Sequence, residues 1–246
     1  MPKRTSFIVQ DFFNYLVNIY RLIFSSYLMP IYNKDSRLAE PILYDPGVIQ
    51  VIRRFGFSIG VGEVTIRDAC KSHGIDVGFF LSVVNTFLNS RYYPEKAASE
   101  SEIPILLDYL AKTDRYYLEV LLPNIDRHFG LLASRRPNDN GVEGESNLGM
   151  LMNFYKEVRH DMTSFIEYDL NIWIPARREL SKTEGEGLHD SSLIEEKLED
   201  MMRLFVMHLH GPNDPNLCVA VLSALHSLAK DVRQNNRIRT RLLARV

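Results

Sequence analysis

The sequence has few of the residues that build disulfide frameworks or thiolate metal sites. Only two cysteines, Cys70 and Cys218, occur among 246 residues, and no CxxC pair is present. Disulfide-rich domains and thiolate zinc sites need closely spaced cysteines, so both classes are excluded. We therefore expect a reducing compartment, with the cytoplasm as the simplest location.

An excess of positive charge is also missing. The chain carries 29 basic and 31 acidic residues, for a net charge of −2, and its sequence pI is about 6.4. This balance does not favour attraction of the whole protein to nucleic acid, so direct nucleic-acid binding is not expected. The glycines of "SIGVGE" (58–63) lack the lysine and the spacing of a phosphate-binding loop. Because no nucleophile–base pair or supported acid/base carboxylate pair stands out, we predict that the protein is not an enzyme.

Long uninterrupted hydrophobic runs are absent as well. The first thirty residues are apolar and aromatic, but polar residues interrupt every run well short of the ~18 residues that a spanning helix needs. No transmembrane segment is predicted, although an amphipathic helix lying on a surface is an alternative. We expect residues 1–32 to be an extension outside the fold, with Met29 as the true start.

What the sequence does contain is helical patterning. Three short helices follow Pro46, in the segments "DPGVIQVIRRFG", "VTIRDACKSHG" and "DVGFFLSVVNTFLNS". Aspartate at a helix start and glycine just after a helix end bound these segments. We predict a small helical domain over residues 33–97.

Longer helices are predicted after Pro104, over residues 104–133, 147–181 and 188–210 and through the C-terminal stretch. Their connections are short apart from "RRPNDNGVEGESN" (135–147). The fold class is therefore predicted as all-α, with a four-helix bundle in up-down order over residues 98–246.

Polar residues interrupt the inward stripes of three of these helices. Asp114 interrupts the inward stripe of the first long helix, which is Leu107, Leu110, Asp114, Leu118, Leu121, Ile125. Asp169 interrupts that of the second, which is Val158, Met162, Phe165, Asp169, Ile172, Ala176. Asn235 and Arg239 interrupt that of the last, which is Leu225, Leu228, Val232, Asn235, Arg239, Leu242, Val246. Buried polar groups at a similar depth on facing helices are typical of a bundle-core site. The alternative is that they are polar residues at the edge of the core with access to water.

Four segments of this chain resemble, in order, the hemerythrin-like di-iron proteins, and more closely a Bacteroidetes-type group with a small helical domain in front of the bundle. The resemblance runs from about residue 33 to 243. "RRFGFSIGVGEVTIRDACKSHGIDVGFFLSVVN" resembles that front domain, itself similar to the N-terminal module of iron-centre repair proteins. Those modules carry a vicinal cysteine pair where this chain has "SIGVGE", so the resemblance implies no thiol chemistry here.

The bundle segments carry the implied metal positions. "YLAKTDRYYLEVLLPNI" places Asp114 at a family histidine. "FIEYDLNIWIP" places Phe165 and Asp169 at the histidine and glutamate of an H-x-x-x-E segment. "LHDSSLIEEKLEDM" retains His189 of a His-Asp segment.

A second H-x-x-x-E segment corresponds to "DVRQNNRIRTRLL", where Asn235 and Arg239 replace both ligands. By this resemblance Asp114, Asp169 and His189 remain at metal positions, while Phe165, Asn235 and Arg239 have replaced ligands. A di-iron site needs imidazoles and bridging carboxylates, and a fixed guanidinium repels iron. We therefore expect Arg239 to pair with Asp169 or Asp114 and no cofactor to be bound, unless the residual site takes iron.

Two function classes follow from the resemblance. The first is a non-enzymatic sensor, regulator or interaction protein whose metal site has degenerated. The second is a metal-binding protein of iron, oxygen or nitric oxide stress responses. Neither a protein partner nor an oligomeric state can be named from the sequence.

Arginines recur every four residues on the last helix, at Arg233, Arg237, Arg241 and Arg245. We name these four residues the basic ridge. It is predicted either as a docking surface for an acidic partner or for nucleic acid, or as a solvated face paired with acidic neighbours.

Overall fold

A computed structural model describes residues 29–135, 147–179, 190–211 and 213–243. These residues form helices and contain no β-strand, so the all-α prediction is confirmed. None of the helices in the described ranges is long and apolar enough to cross a membrane.

Four short helices form the N-terminal part: α1 Ala39–Tyr44, α2 Val48–Arg54, α3 Ile66–His73 and α4 Val77–Leu88. The last three are the short helices predicted from the sequence, and α1 is additional. Thr65 caps α3 by accepting from the backbone N–H of Asp68, and Asp76 caps α4 by accepting from that of Phe79 at 2.8 Å. Gly74 ends α3 with a positive φ of 66°, which favours glycine.

Residues 29–32 belong to this N-terminal part, although they were predicted with the extension. Tyr32 is buried, and its backbone N–H and carbonyl both bond the side-chain amide of Asn85 on α4, at 2.8 and 2.9 Å. The carbonyl of Met29 accepts from Asn89. Residues 29–32 are therefore part of the folded unit, and residues 1–28 lie outside the described ranges.

Longer helices make up the rest of the chain. Helix α5 (Ile103–Tyr116) continues through a π-helical segment, π1 (Tyr117–Leu121), into α6 (Leu122–Ser134). Helix α7 (Asn147–Tyr168) likewise continues through π2 (Asp169–Trp173) into α8 (Ile174–Glu179). They are followed by α9 (Ser192–His208) and α10 (Pro215–Leu243). Helix α10 packs against α9, α6 and α4, while α7 packs against α9 and α6.

Proline accounts for both π segments. Pro123 and Pro175 each lie two residues after the end of a π segment, and proline has no N–H and crowds the carbonyl four residues earlier. The helix widens just before each one: Leu122 N–H bonds the carbonyl of Tyr117, and Ile174 N–H bonds that of Asp169.

The extra residue in each wide turn shifts the inward face of the helix. The regular stripe predicted from the sequence placed Leu118, Leu121 and Ile172 inside. Tyr117, Leu122 and Trp173 are buried instead, and Ile172 is 52% exposed. The prediction for Ile172 was wrong because a π turn shifts the phase of the helix by about one residue. Leu118 and Leu121 are half-buried and pack against the second core.

Two apolar cores lie at different heights along the long helices. One contains the aromatic residues of α4 together with Leu107 of α5, Trp173 of π2 and Ile238 of α10. The other contains α6, α7, α9 and the first half of α10. The first core thus joins the predicted small domain to the long helices.

We expect the small domain and the long helices to unfold together because they share this core. Denaturant unfolding should give the same midpoint by far-UV circular dichroism, which follows all helices, and by fluorescence of Trp173, the single tryptophan. Two separated transitions would show that the predicted domains are independent.

Candidate functional site

A layer of buried polar side chains separates the two apolar cores. On two long helical stretches a polar residue lies between members of the two cores: Asp114 between Leu110 and Tyr117, and Asp169 between Ile166 and Trp173. We name the following residues the polar layer: Arg54, Tyr109, Asp114, Tyr117, Asp169, Asp231, Asn235 and Arg239. All of them are at least nine-tenths buried.

Arg239 forms the ion pair at one end of the layer. Its guanidinium donates to Asp169 Oδ2, and its Nη2 lies 4.0 Å from Asp114 Oδ2. The side chains of Arg239, Asp169 and Asp114 are 4%, 0% and 4% exposed, so the contact is shielded from bulk water. The pairing expected from the sequence is therefore present in the structure, with Asp169 as the direct partner.

Aromatic rings cover the faces of the same guanidinium. Arg239 Cζ lies 5.4 Å from the ring centroid of Phe165 and 4.9 Å from that of Trp173. A cation over an aromatic face is attracted by the ring quadrupole, and more strongly where water is excluded. Phe165 and Arg239, both assigned to replaced ligand positions, therefore contact each other.

Asn235 joins this end of the layer to Arg54, which comes from α2. Asn235 Oδ1 accepts from the Tyr109 hydroxyl at 2.8 Å and from Arg54 at 3.3 Å. Its amide Nδ2 donates to the Tyr117 hydroxyl at 3.1 Å and to the backbone carbonyl of Asp231 at 2.8 Å. Arg54 also pairs with the Asp231 carboxylate at 3.2 Å. A buried amide with four hydrogen bonds is satisfied, which explains how Asn235 is accommodated on an inward stripe.

Burial raises the pKa values of two acidic groups in this layer, Asp114 and Tyr109. Burial and the neighbouring Asp169 carboxyl raise the pKa of Asp114 well above its ordinary 3.8, and the charge of Arg239 opposes this only in part. Burial likewise raises the pKa of Tyr109 to about 12. Asp114 is therefore harder to ionise than an exposed aspartate.

A small cavity lies beside Asp114. It encloses about 20 Å³ and is lined by polar residues of the layer and by apolar side chains of α5, α7, α9 and α10. Asp114 Oδ2 is buried and meets no hydrogen-bond donor among the described residues.

Metal-binding groups are sparse in the part of the chain that the structure describes. It contains no cluster of three or more His, Cys, Asp or Glu side chains able to hold a metal ion. Asp114 and Asp169 are close together, but Arg239 occupies the space beside them. His189 lies outside the described residues.

The comparisons with known proteins add no assignment. No protein-family model, curated protein or solved structure matches this chain.

The basic ridge uses its guanidinium groups within the molecule. Arg233 pairs with Glu195 and Glu199 of α9. Arg237 donates to the carbonyls of Thr86 and Phe87, and Arg241 donates to those of Ser90 and Tyr92. These carbonyls lie at and just beyond the end of α4, where helical carbonyls have no partner within the helix. The geometry thus favours capping of α4 over docking for Arg237 and Arg241, while Arg245 lies outside the described residues.

Sequence reasoning missed Arg54, Tyr109, Tyr117 and Asp231 as members of the layer. Arg54 lies in a short helix of a separately predicted domain, and no pattern on its own helix indicates a partner 177 residues away. A usable signal existed for Tyr117: a proline six residues later, matching the spacing of Asp169 and Pro175.

The ion pair can be tested by double-mutant cycles in denaturant unfolding. Arg239→Met alone should cost up to ~3 kcal/mol because it leaves a buried carboxylate without its partner. Combining it with Asp169→Leu should recover part of that loss, giving a coupling of about 1–3 kcal/mol. The cycle with Asp114→Leu should give a smaller coupling because that carboxyl lies 4.0 Å away. Coupling near zero in both cycles would contradict the assignment.

The capping role of the ridge predicts unequal effects of equivalent substitutions on α10. Arg237→Met should lower the free energy of unfolding by about 1–3 kcal/mol because it removes charged hydrogen bonds to two helix-end carbonyls. Arg233→Met is the matched control one turn earlier, and its exposed ion pairs should contribute about 0–1 kcal/mol. Equal effects of the two substitutions would argue against capping.

Proposed function

We propose that this protein is a non-enzymatic sensor, regulatory or interaction protein on a hemerythrin-like helical scaffold whose metal site has been replaced by a salt bridge. The observation that carries the proposal is the contact of Arg239 with Asp169, with Asp114 close by, at the depth where the resemblance implies iron ligands. The guanidinium of Arg239 gives these carboxyl groups the positive charge that a metal ion would otherwise provide.

The packing of the long helices supports the bundle part of the proposal. Helix α10 contacts α6 and α9, and α7 contacts the same two helices, so the four form a closed ring of neighbours. This is the arrangement expected of a four-helix bundle with inward side chains from facing helices. The free state of both cysteines is compatible with the cytoplasmic location that the proposal includes.

The replaced ligand positions support a site that is organised without metal. Phe165 covers the guanidinium of Arg239, and Asn235 is held by Tyr109, Tyr117 and Arg54. Removing metal ligands at random would leave buried polar groups unsatisfied, at about 1–3 kcal/mol each. Here the replacements contact one another or find partners nearby, which favours a stable protein without bound metal.

The alternative function is a metal-binding protein of iron, oxygen or nitric oxide stress responses. The observation that favours it is the pair of buried carboxyl groups, Asp114 and Asp169, which remain side by side. Oxygen ligands of this kind suit hard cations. For iron to bind, however, Arg239 would have to leave its place beside both groups.

Metal content distinguishes the two functions. Protein purified after growth in iron-supplemented medium should carry far less than two irons per chain by elemental analysis. The Arg239→Glu variant is purified in parallel, and its iron content shows whether a carboxylate at that position is enough to restore iron binding. About two irons per wild-type chain, together with the visible absorption of an oxo-bridged pair, would overturn the proposed function.

A further inference from the structure

The cavity beside Asp114 has the size and polarity of a site for a single small molecule. Measured as the space open to the centre of a water molecule, a cavity needs roughly 10–15 Å³ to hold one water. This cavity offers about 20 Å³, which is enough for one water and too little for a larger organic ligand.

Polar groups converge on this space from two helices, the α5–π1 stretch and α10. Asp114 Oδ2 is fully enclosed and meets no donor among the described residues. Thr113 and Tyr117 of the same helical stretch, Asn236 and Arg239 also line the cavity. A buried carboxyl oxygen without a donor is costly, and buried waters satisfy two to four such groups at once.

The charge around the cavity argues against a metal cation as its occupant. Arg239 Nη2 lies 4.0 Å from Asp114 Oδ2, so any ion bound to that oxygen would lie close to a fixed positive charge. A neutral molecule that can both donate and accept hydrogen bonds has no such penalty.

We propose that this cavity is a binding site for one internal water molecule, which donates a hydrogen bond to Asp114 Oδ2 and links it to the other polar groups of the wall. The inference stands on the cavity and on Asp114 and does not depend on the proposed function. Cavities that stay empty are apolar, so a dry site and a hydrated site can be told apart by experiment.

The test counts long-lived internal waters by ¹⁷O magnetic relaxation dispersion, in buffer with a chelator so that no metal contributes. Asp114→Leu, which replaces the carboxyl group with apolar atoms, should remove one long-lived water. Asp114→Asn, which keeps an oxygen at nearly the same place, should retain that water. Ile166→Val, which enlarges the cavity at its apolar wall, is the matched control and should also retain it.

Equal numbers of long-lived waters in the wild type and the Asp114→Leu variant would overturn the proposal. A crystal of the wild type under xenon pressure gives a second readout that needs no variant. Xenon bound beside Asp114 would show that the cavity is dry, and this too would overturn the proposal. A solvent peak within hydrogen-bond distance of Asp114 Oδ2, with no xenon, is the expected result.

Discussion

The contact of Arg239 with Asp169 is the interaction on which the interior of this protein depends. Burying a guanidinium removes it from water at a cost that only a well-placed carboxylate and further contacts can offset. Asp169 supplies the carboxylate, and the rings of Phe165 and Trp173 cover the faces of the cation. Losing either charged partner removes the direct contact that offsets the burial of the other, so these residues are constrained as a group and not singly.

The same interaction fixes how the helices meet. Asp169 opens the π segment of the second long helix, and Arg239 lies on α10, so their contact ties these two helices together at this level. Asn235, one turn earlier on α10, accepts hydrogen bonds from Tyr109 of α5 and from Arg54 of α2, and so links both helices to α10. Apolar cores tolerate sliding more readily than hydrogen-bonded layers do. We infer that the polar layer determines the register between the two cores.

Periodicity predicted the inward face of α10 correctly because that helix is regular throughout its length. Leu225, Leu228 and Val232 are buried as expected, as are Asn235 and Arg239. It placed Ile172 wrongly because a proline two residues beyond a helical turn widens that turn, and a single fixed period cannot represent the change. Arg54 could not be predicted at all, since its partners are separated from it along the chain and are brought together only by the fold.

The Arg239 guanidinium, and not a metal ion, is the cation beside the buried carboxyl groups of Asp114 and Asp169. The most direct measurement is a crystal structure of protein prepared with ferrous iron, with anomalous scattering recorded at the iron edge. The account predicts Arg239 in contact with Asp169 and no anomalous peak within coordinating distance of Asp114 or Asp169. An iron peak between those two carboxylates, with Arg239 displaced, would contradict it.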